Sequence, residues 1–126
     1  MQERSLNGLR KQFLRRRAEL LKDETRLLEE YIARIRRIHP RCAIILYGSR
    51  ARGNPLPYSD YDVAIIIEKI DDKLKAIEEF RKLKPRGFSL DLIVLDISEL
   101  SDPIIRKMFE GSRILYDNIN IHKYIK

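Results

Sequence analysis

The sequence predicts an α/β fold, in which a small mixed β-sheet carries helices packed mainly on one face and a long helix leads in from the N-terminus. Three patterns carry this expectation. Leu14, Leu21, Leu28 and Ile35 recur every seven residues, the spacing of an amphipathic helix. Three later runs, Cys42 to Tyr47, Val63 to Glu68 and Phe88 to Leu95, are short and rich in Ile, Leu and Val, as buried strands are. After them come Asp and Pro residues placed where helices begin.

In chain order, the first helix runs from about Ser5 or Gly8 to Ile38, with Ala18, Tyr31, Ile32 and Ile38 on the side of the heptad residues. Pro40 pushes His39 out of the helical region and ends it. At 1.5 Å per residue it spans roughly 45 to 50 Å, more than a small sheet can cover. Its second half therefore packs on the sheet, and Leu6, Leu9, Phe13, Leu14 and Leu21 are left short of partners. Such an apolar stripe predicts self-association or a docked partner. Asp71 or Asp72 caps a helix reaching about Lys84, ended by Pro85 and Gly87. Asp102 caps another, with Pro103 at its first position and Gly111 past its end. Ile114 to Tyr116 adds a short edge strand. The chain thus divides into a basic helix over 1–40, a core over 41–116 and a tail over 117–126 with no clear period.

A chain of 126 residues, 44% hydrophobic and 36% charged, has enough apolar content for one folded domain and too much for a disordered one. No stretch has the length and apolarity of a membrane span or a signal peptide, so a soluble cytoplasmic protein is expected. The lone Cys42 lies in an apolar run, where a buried thiol is the ordinary reading and a disulfide within the chain is excluded. The net charge of +7 is unevenly spread: residues 1–41 hold 12 Lys or Arg against 6 Asp or Glu, and the remainder 14 against 13. The Arg15-Arg16-Arg17 cluster raises nucleic-acid binding. No aromatic residue is interleaved with it, which favours a solvated helix face.

Chemistry concentrates between Leu46 and Asp62. Gly48 and Ser49 follow directly on a strand, Arg50 and Arg52 come next, and Gly53 closes the run. Glycine lets a ligand approach the backbone, serine supplies a hydroxyl and can cap a short helical turn, and free amides there would face a phosphate. Asp60 and Asp62 stand two apart at the start of an apolar strand, so both carboxylates point to one face. Asp91 lies inside Leu90-Asp91-Leu92-Ile93-Val94-Leu95 with no adjacent basic residue. An unpaired charge buried there would cost several kcal/mol, which calls for a nearby cation.

The predicted topology gathers these groups. A helix connects the strand that starts near Asp60 to the one that starts near Phe88, and such a crossover makes the two strands parallel. The link from Gly48 to Ser59 is too short for a crossover, so the first strand runs antiparallel and delivers Gly48 and Ser49 to the same sheet edge. Three converging carboxylates repel unless neutralised, and magnesium prefers all-oxygen ligands. That describes a two-metal site for phosphoryl chemistry.

Gly48-Ser49, ten intervening residues and Asp60-x-Asp62 resemble the signature of the minimal nucleotidyltransferases of the DNA polymerase beta superfamily. The likeness extends from about Ala43 through Tyr116 and includes the Gly-Ser-Arg-Ala-Arg-Gly run, Asp91 and the Glu110-Gly111 to Leu115-Tyr116 closure. It implies the polymerase-beta-like fold and an enzyme of the nucleotidyltransferase class. It implies that Gly48 and Ser49 hold the triphosphate of ATP or another NTP, with Arg50 and Arg52 steadying phosphates or, equally, forming surface salt bridges beside the loop. Asp60 and Asp62 would bind two Mg2+ ions, and Asp91 would complete the ion that activates the nucleophile. Relatives of this size commonly act as antitoxins beside a HEPN-type helical partner, masking it or transferring AMP to one of its tyrosines, and the resemblance implies that role. Pro55, Pro57 and Val63 depart from the usual pattern without touching the chemistry. Rival readings are a transferase acting on a small molecule or RNA, and a non-catalytic module that masks a partner or binds nucleic acid. His39, before a proline, and His122, in the tail, are expected bystanders.

Overall fold

The computed structural model describes residues 2–53 and 60–125, and within the first helix the side chains of 8–12, 14, 15 and 23 onward. Helix α1 spans Gln2–Ile38, and β1 follows at Ala43–Tyr47. Then come β2 at Tyr61–Ile67, α2 at Lys73–Lys82 and β3 at Leu90–Asp96. A 3-10 turn at Ile97–Ser101 leads into α3 at Pro103–Met108 and β4 at Arg113–Asp117. The single mixed sheet has the order β3-β2-β1-β4, with β2 and β3 parallel and both β1 pairings antiparallel. Each helix start follows from its cap. Asp72, rather than Asp71, accepts the Lys75 amide, and Asp102 accepts that of Ile104 with Pro103 next in line.

Side-chain alternation divides the core into two layers. On one face Ile44, Leu46, Val63, Ile65, Leu92 and Val94 pack against Leu28, Tyr31 and Ile35 of α1 and Phe80 of α2. On the other, Ala43, Ile45, Tyr47, Ala64, Ile66 and Leu95 pack against Leu100, Phe109 and Ile121. The two longer helices thus share one face, and short turns with the tail close the second. The tail is more structured than its lack of period suggests, since Ile121 is fully buried. Burial works against ionisation of Asp117, yet the amides of Ile121 and Ile119 and the ring of His122 hold its carboxyl below the usual range and pin the tail.

The second half of α1 packs on the sheet as its heptad requires, and the Tyr31 hydroxyl donates to the Phe80 carbonyl at 2.9 Å. Towards the N-terminus the described side chains are exposed, Leu9 and Leu14 among them. The other members of the expected stripe, Leu6, Phe13 and Leu21, lie outside the described side chains. Among the described residues no helix is long and apolar enough to cross a membrane. Cys42 is buried, which pushes its thiol up to about 11 and leaves it a poor nucleophile. Tyr31→Phe should lower unfolding stability by about 0.5–1.5 kcal/mol, because the buried Phe80 carbonyl keeps only the 3.3 Å bond from the Leu83 amide. Urea titration reads this directly, and no change would mean that the bond contributes nothing net.

Candidate active site

The site is built where three strands meet in register. Asp62 on β2 pairs with Tyr47 on β1 and with Asp91 on β3. Asp62, Asp91 and Tyr47 share a face with Ala64, Ile66 and Leu95, the face closed by α3 and the tail. Burial raises the Asp62 carboxyl above the usual carboxylate range. The neighbouring Asp91 charge, a hydrogen bond with Asp91 and the Asp60 charge add to that shift. The Tyr47 hydroxyl is pushed up to about 12 by burial and by the charges of Asp62 and Asp91. Its ring packs on Phe109, with centroids 5.7 Å apart.

Sequence reasoning treats Asp91 as a buried charge, and the structure corrects that. Asp91 is exposed because β3 is an edge strand, so its own desolvation is small. The strand flanked on both sides is β2, and Asp62 bears the burial instead.

Gly48 closes the site from above. It has φ of +76°, and a Cβ built on it would run into the Asp62 Oδ2. Only glycine suits both the left-handed backbone and the close approach. The next residues wind one helical turn, in which the Arg52 amide reaches the Gly48 carbonyl at 3.3 Å, and Gly53 ends it at φ +81°. Ser49 sits half-buried inside this turn. Arg52 is exposed, its Nε 3.3 Å from the Gly48 carbonyl and its stem against Gly111. Arg50 turns inward onto Glu24 and Tyr61. Residues 54–59, with Pro55, Pro57 and Ser59, lie outside the described residues.

The donor chemistry fits a hard divalent cation. Asp62 and Asp91 are register partners on β2 and β3, and the Asp91 charge works with burial to raise the Asp62 carboxyl, a crowding of oxygen ligands that a cation would relieve. Asp60 is exposed and accepts from the Ser89 hydroxyl. Among the described residues no group of three or more His, Cys, Asp or Glu side chains could hold a metal ion. Magnesium rarely needs such a cage, since one or two carboxylates with substrate phosphates and water are its usual ligands. The structure therefore sets Asp62 beside Asp91 under Gly48, brings the Asp60 charge to bear on Asp62, and leaves Asp60 on Ser89.

Comparison with known proteins fits this geometry. The model of the nucleotidyltransferase domain family matches residues 28–116. The chain belongs to that family of enzymes. The match starts within α1 and runs to β4, so it contains the whole site. A candidate protein adenylyltransferase of Methanocaldococcus jannaschii is 30% identical over 91 residues, 64% of this chain and 62% of that one. The chain thus spans under two thirds of that relative's length. Among solved structures, a candidate nucleotidyltransferase from Sulfolobus solfataricus superposes with a TM-score of 0.63 at 22% identity, over 81% of this chain and 87% of that one. A toxin-antitoxin crystallised with AMP-PNP gives 0.60 at 20% identity, over 77% and 79%. A mutant form of the toxin-antitoxin MntA-HpeT gives 0.55 at 18%, over 75% and 76%. These structures establish the shared fold.

Sequence reasoning passed over Tyr47, Ser89 and Glu24. Tyr47 and Ser89 adjoin the motif residues and were open to discovery from strand pairing, whereas Glu24 carries no local signal. A testable consequence comes from the raised Asp62. A carboxyl whose folded-state pKa is raised stabilises the fold fully below its unfolded value of about 3.9, and that contribution is lost as pH rises through the folded value. In metal-free buffer Asp62→Asn should therefore be more stable than the parent at pH 7, and the gap should shrink towards pH 4. Thermal unfolding in EDTA reads it; a gap independent of pH would mean that Asp62 and Asp91 do not repel.

Proposed function

We propose that this nucleotidyltransferase domain transfers a nucleoside monophosphate, most simply AMP from ATP, to a hydroxyl on a partner protein. The carrying observation is the in-register Asp62–Asp91 pair beneath the Gly48 turn. Support for adenylyl transfer comes from the name of the Methanocaldococcus jannaschii relative and from the AMP-PNP in one structural neighbour. Support for a toxin partner comes from the two toxin-antitoxin neighbours, and the resemblance to minimal nucleotidyltransferases supports a HEPN-type protein, modified on tyrosine, as that partner. The chain would then be its antitoxin in the cytoplasm.

In this reading Asp62 and Asp91, joined by Asp60 turned away from Ser89, would hold two Mg2+ ions, which would supply charge neutralisation on the triphosphate and a lowered pKa for the acceptor hydroxyl. Gly48, lacking a Cβ, lets the triphosphate come against the turn, where Ser49 and the turn amides donate to it. Arg52, exposed beside the Gly48 carbonyl, offers charge to the departing phosphates. The acceptor oxygen bonds to the α-phosphorus as the bond to the bridging oxygen breaks. The acceptor proton passes to the Asp91 carboxylate, and pyrophosphate leaves.

A second reading has its own observation. The exposed Leu9 and Leu14 of α1 suit a contact with a partner or a second copy, so α1 could mask a toxin without chemistry. Incubating the partner with ATP and magnesium should add one AMP per modified hydroxyl by mass spectrometry, and Asp62→Ala or Asp91→Ala should abolish the addition. A partner that is inhibited but unmodified leaves masking as the function. Light scattering decides self-association: Phe13→Glu with Leu14→Glu should convert a dimer to a monomer, and a parent that is monomeric at high concentration ends that proposal.

A further inference from the structure

Arg50 lies in the turn after β1, but its side chain points into the protein. Only 6% of it is exposed. Its Nη1 lies 2.9 Å from Oε2 of Glu24, and its guanidinium carbon lies 4.1 Å from the centroid of the Tyr61 ring. Glu24 belongs to α1, upstream of the family match that begins at residue 28. Tyr61 stands between Asp60 and Asp62 at the start of β2. One guanidinium thus joins α1, the nucleotide-side turn and the strand that carries the carboxylates. A cation so far removed from water persists only when paired, and the ring face adds attraction from the other side. A planar fork held at both ends also fixes the backbone it grows from.

We infer that Arg50 is a positioning residue: with Glu24 it latches the Gly48–Gly53 turn and the start of β2 onto α1, so that nucleotide affinity depends on how α1 is seated. This rests on the reading of the turn as a triphosphate site. It assigns Arg50 a different task from Arg52, whose side chain is exposed. It also makes α1, largely outside the matched family region, part of the site's machinery.

A double-mutant cycle in the full chain tests it, with Glu24→Gln, Arg50→Gln and the pair. Two quantities are read: the Kd for ATP with magnesium, and amide hydrogen exchange of residues 48–53 without nucleotide. Glu24→Gln should weaken binding by about tenfold and Arg50→Gln by at least as much, since it also loses the Tyr61 ring, and the double by no more than Arg50→Gln alone, because the pair they share is lost only once. Exchange in the turn should quicken alike in all three while the amides of β1 and β2 keep their protection. If Arg50→Gln weakens binding and Glu24→Gln leaves it unchanged or tightens it, Arg50 reaches the phosphates itself and the latch is wrong. Unchanged exchange in the turn overturns it equally. Should the parent chain bind no triphosphate, the nucleotide reading fails on its own and the exchange result still decides the latch.

Discussion

Two carboxylates on neighbouring strands repel, and the rest of this fold is arranged to hold Asp62 and Asp91 together in spite of that. Seven consecutive pairs, Tyr61 with Leu90 through Ile67 with Asp96, fix the register of β2 on β3. Slipping β3 by one residue would separate the two acids, but it would also turn Leu92 and Val94 away from α1 and α2 and Leu95 out of the opposite layer. Each such side chain contributes about 1.5–3 kcal/mol on burial. The repulsion at an effective dielectric near 20 is of order 4 kcal/mol for charges 4 Å apart, and it adds to burial in raising the Asp62 carboxyl. The apolar ladder outweighs the charge, so an electrostatically strained pair is stable in a small domain.

The remaining parts serve that pair from different directions. The short return from β1 to β2 makes those strands antiparallel, which sets Tyr47 beside Asp62 and Gly48 directly on its carboxylate. The crossover through α2 makes β3 parallel, which brings Asp91 to the same sheet end. Asp60 is held by Ser89 just before β3 begins. Phe109 and the tail shut the face behind Tyr47. From the opposite face, α1 reaches the turn through Glu24 and Arg50. The long helix is therefore tied to the chemistry at one point and to the core at others, Leu28, Tyr31 and Ile35.

Much of this was legible in the sequence because its signals were local. Asp72 and Asp102 capped the predicted helices, and β1 to β4 fell close to the apolar runs that announced them. The strand directions followed from loop lengths, and with them the approach of Gly48, Asp62 and Asp91. What escaped was tertiary. The expectation of a buried Asp91 rested on the apolar run around it, and strand order, which places β3 at the edge, has no local signature. Arg50 reads equally as a phosphate contact or a salt-bridge donor from the motif around it, and only the fold supplies its partner Glu24, 26 residues earlier in a helix. The burial of Ile121 depends on Asp117 gathering the amides of the tail, a pattern visible only once the backbone is folded.

The Asp62–Asp91 pair beneath Gly48 is central as the proposed seat of a magnesium-dependent triphosphate site. Calorimetric titration of the full chain with AMP-PNP, in magnesium and then in EDTA, tests it most directly. Saturable binding with magnesium that disappears in EDTA is the predicted result. Binding equally strong without the metal, or none in either buffer, would contradict it.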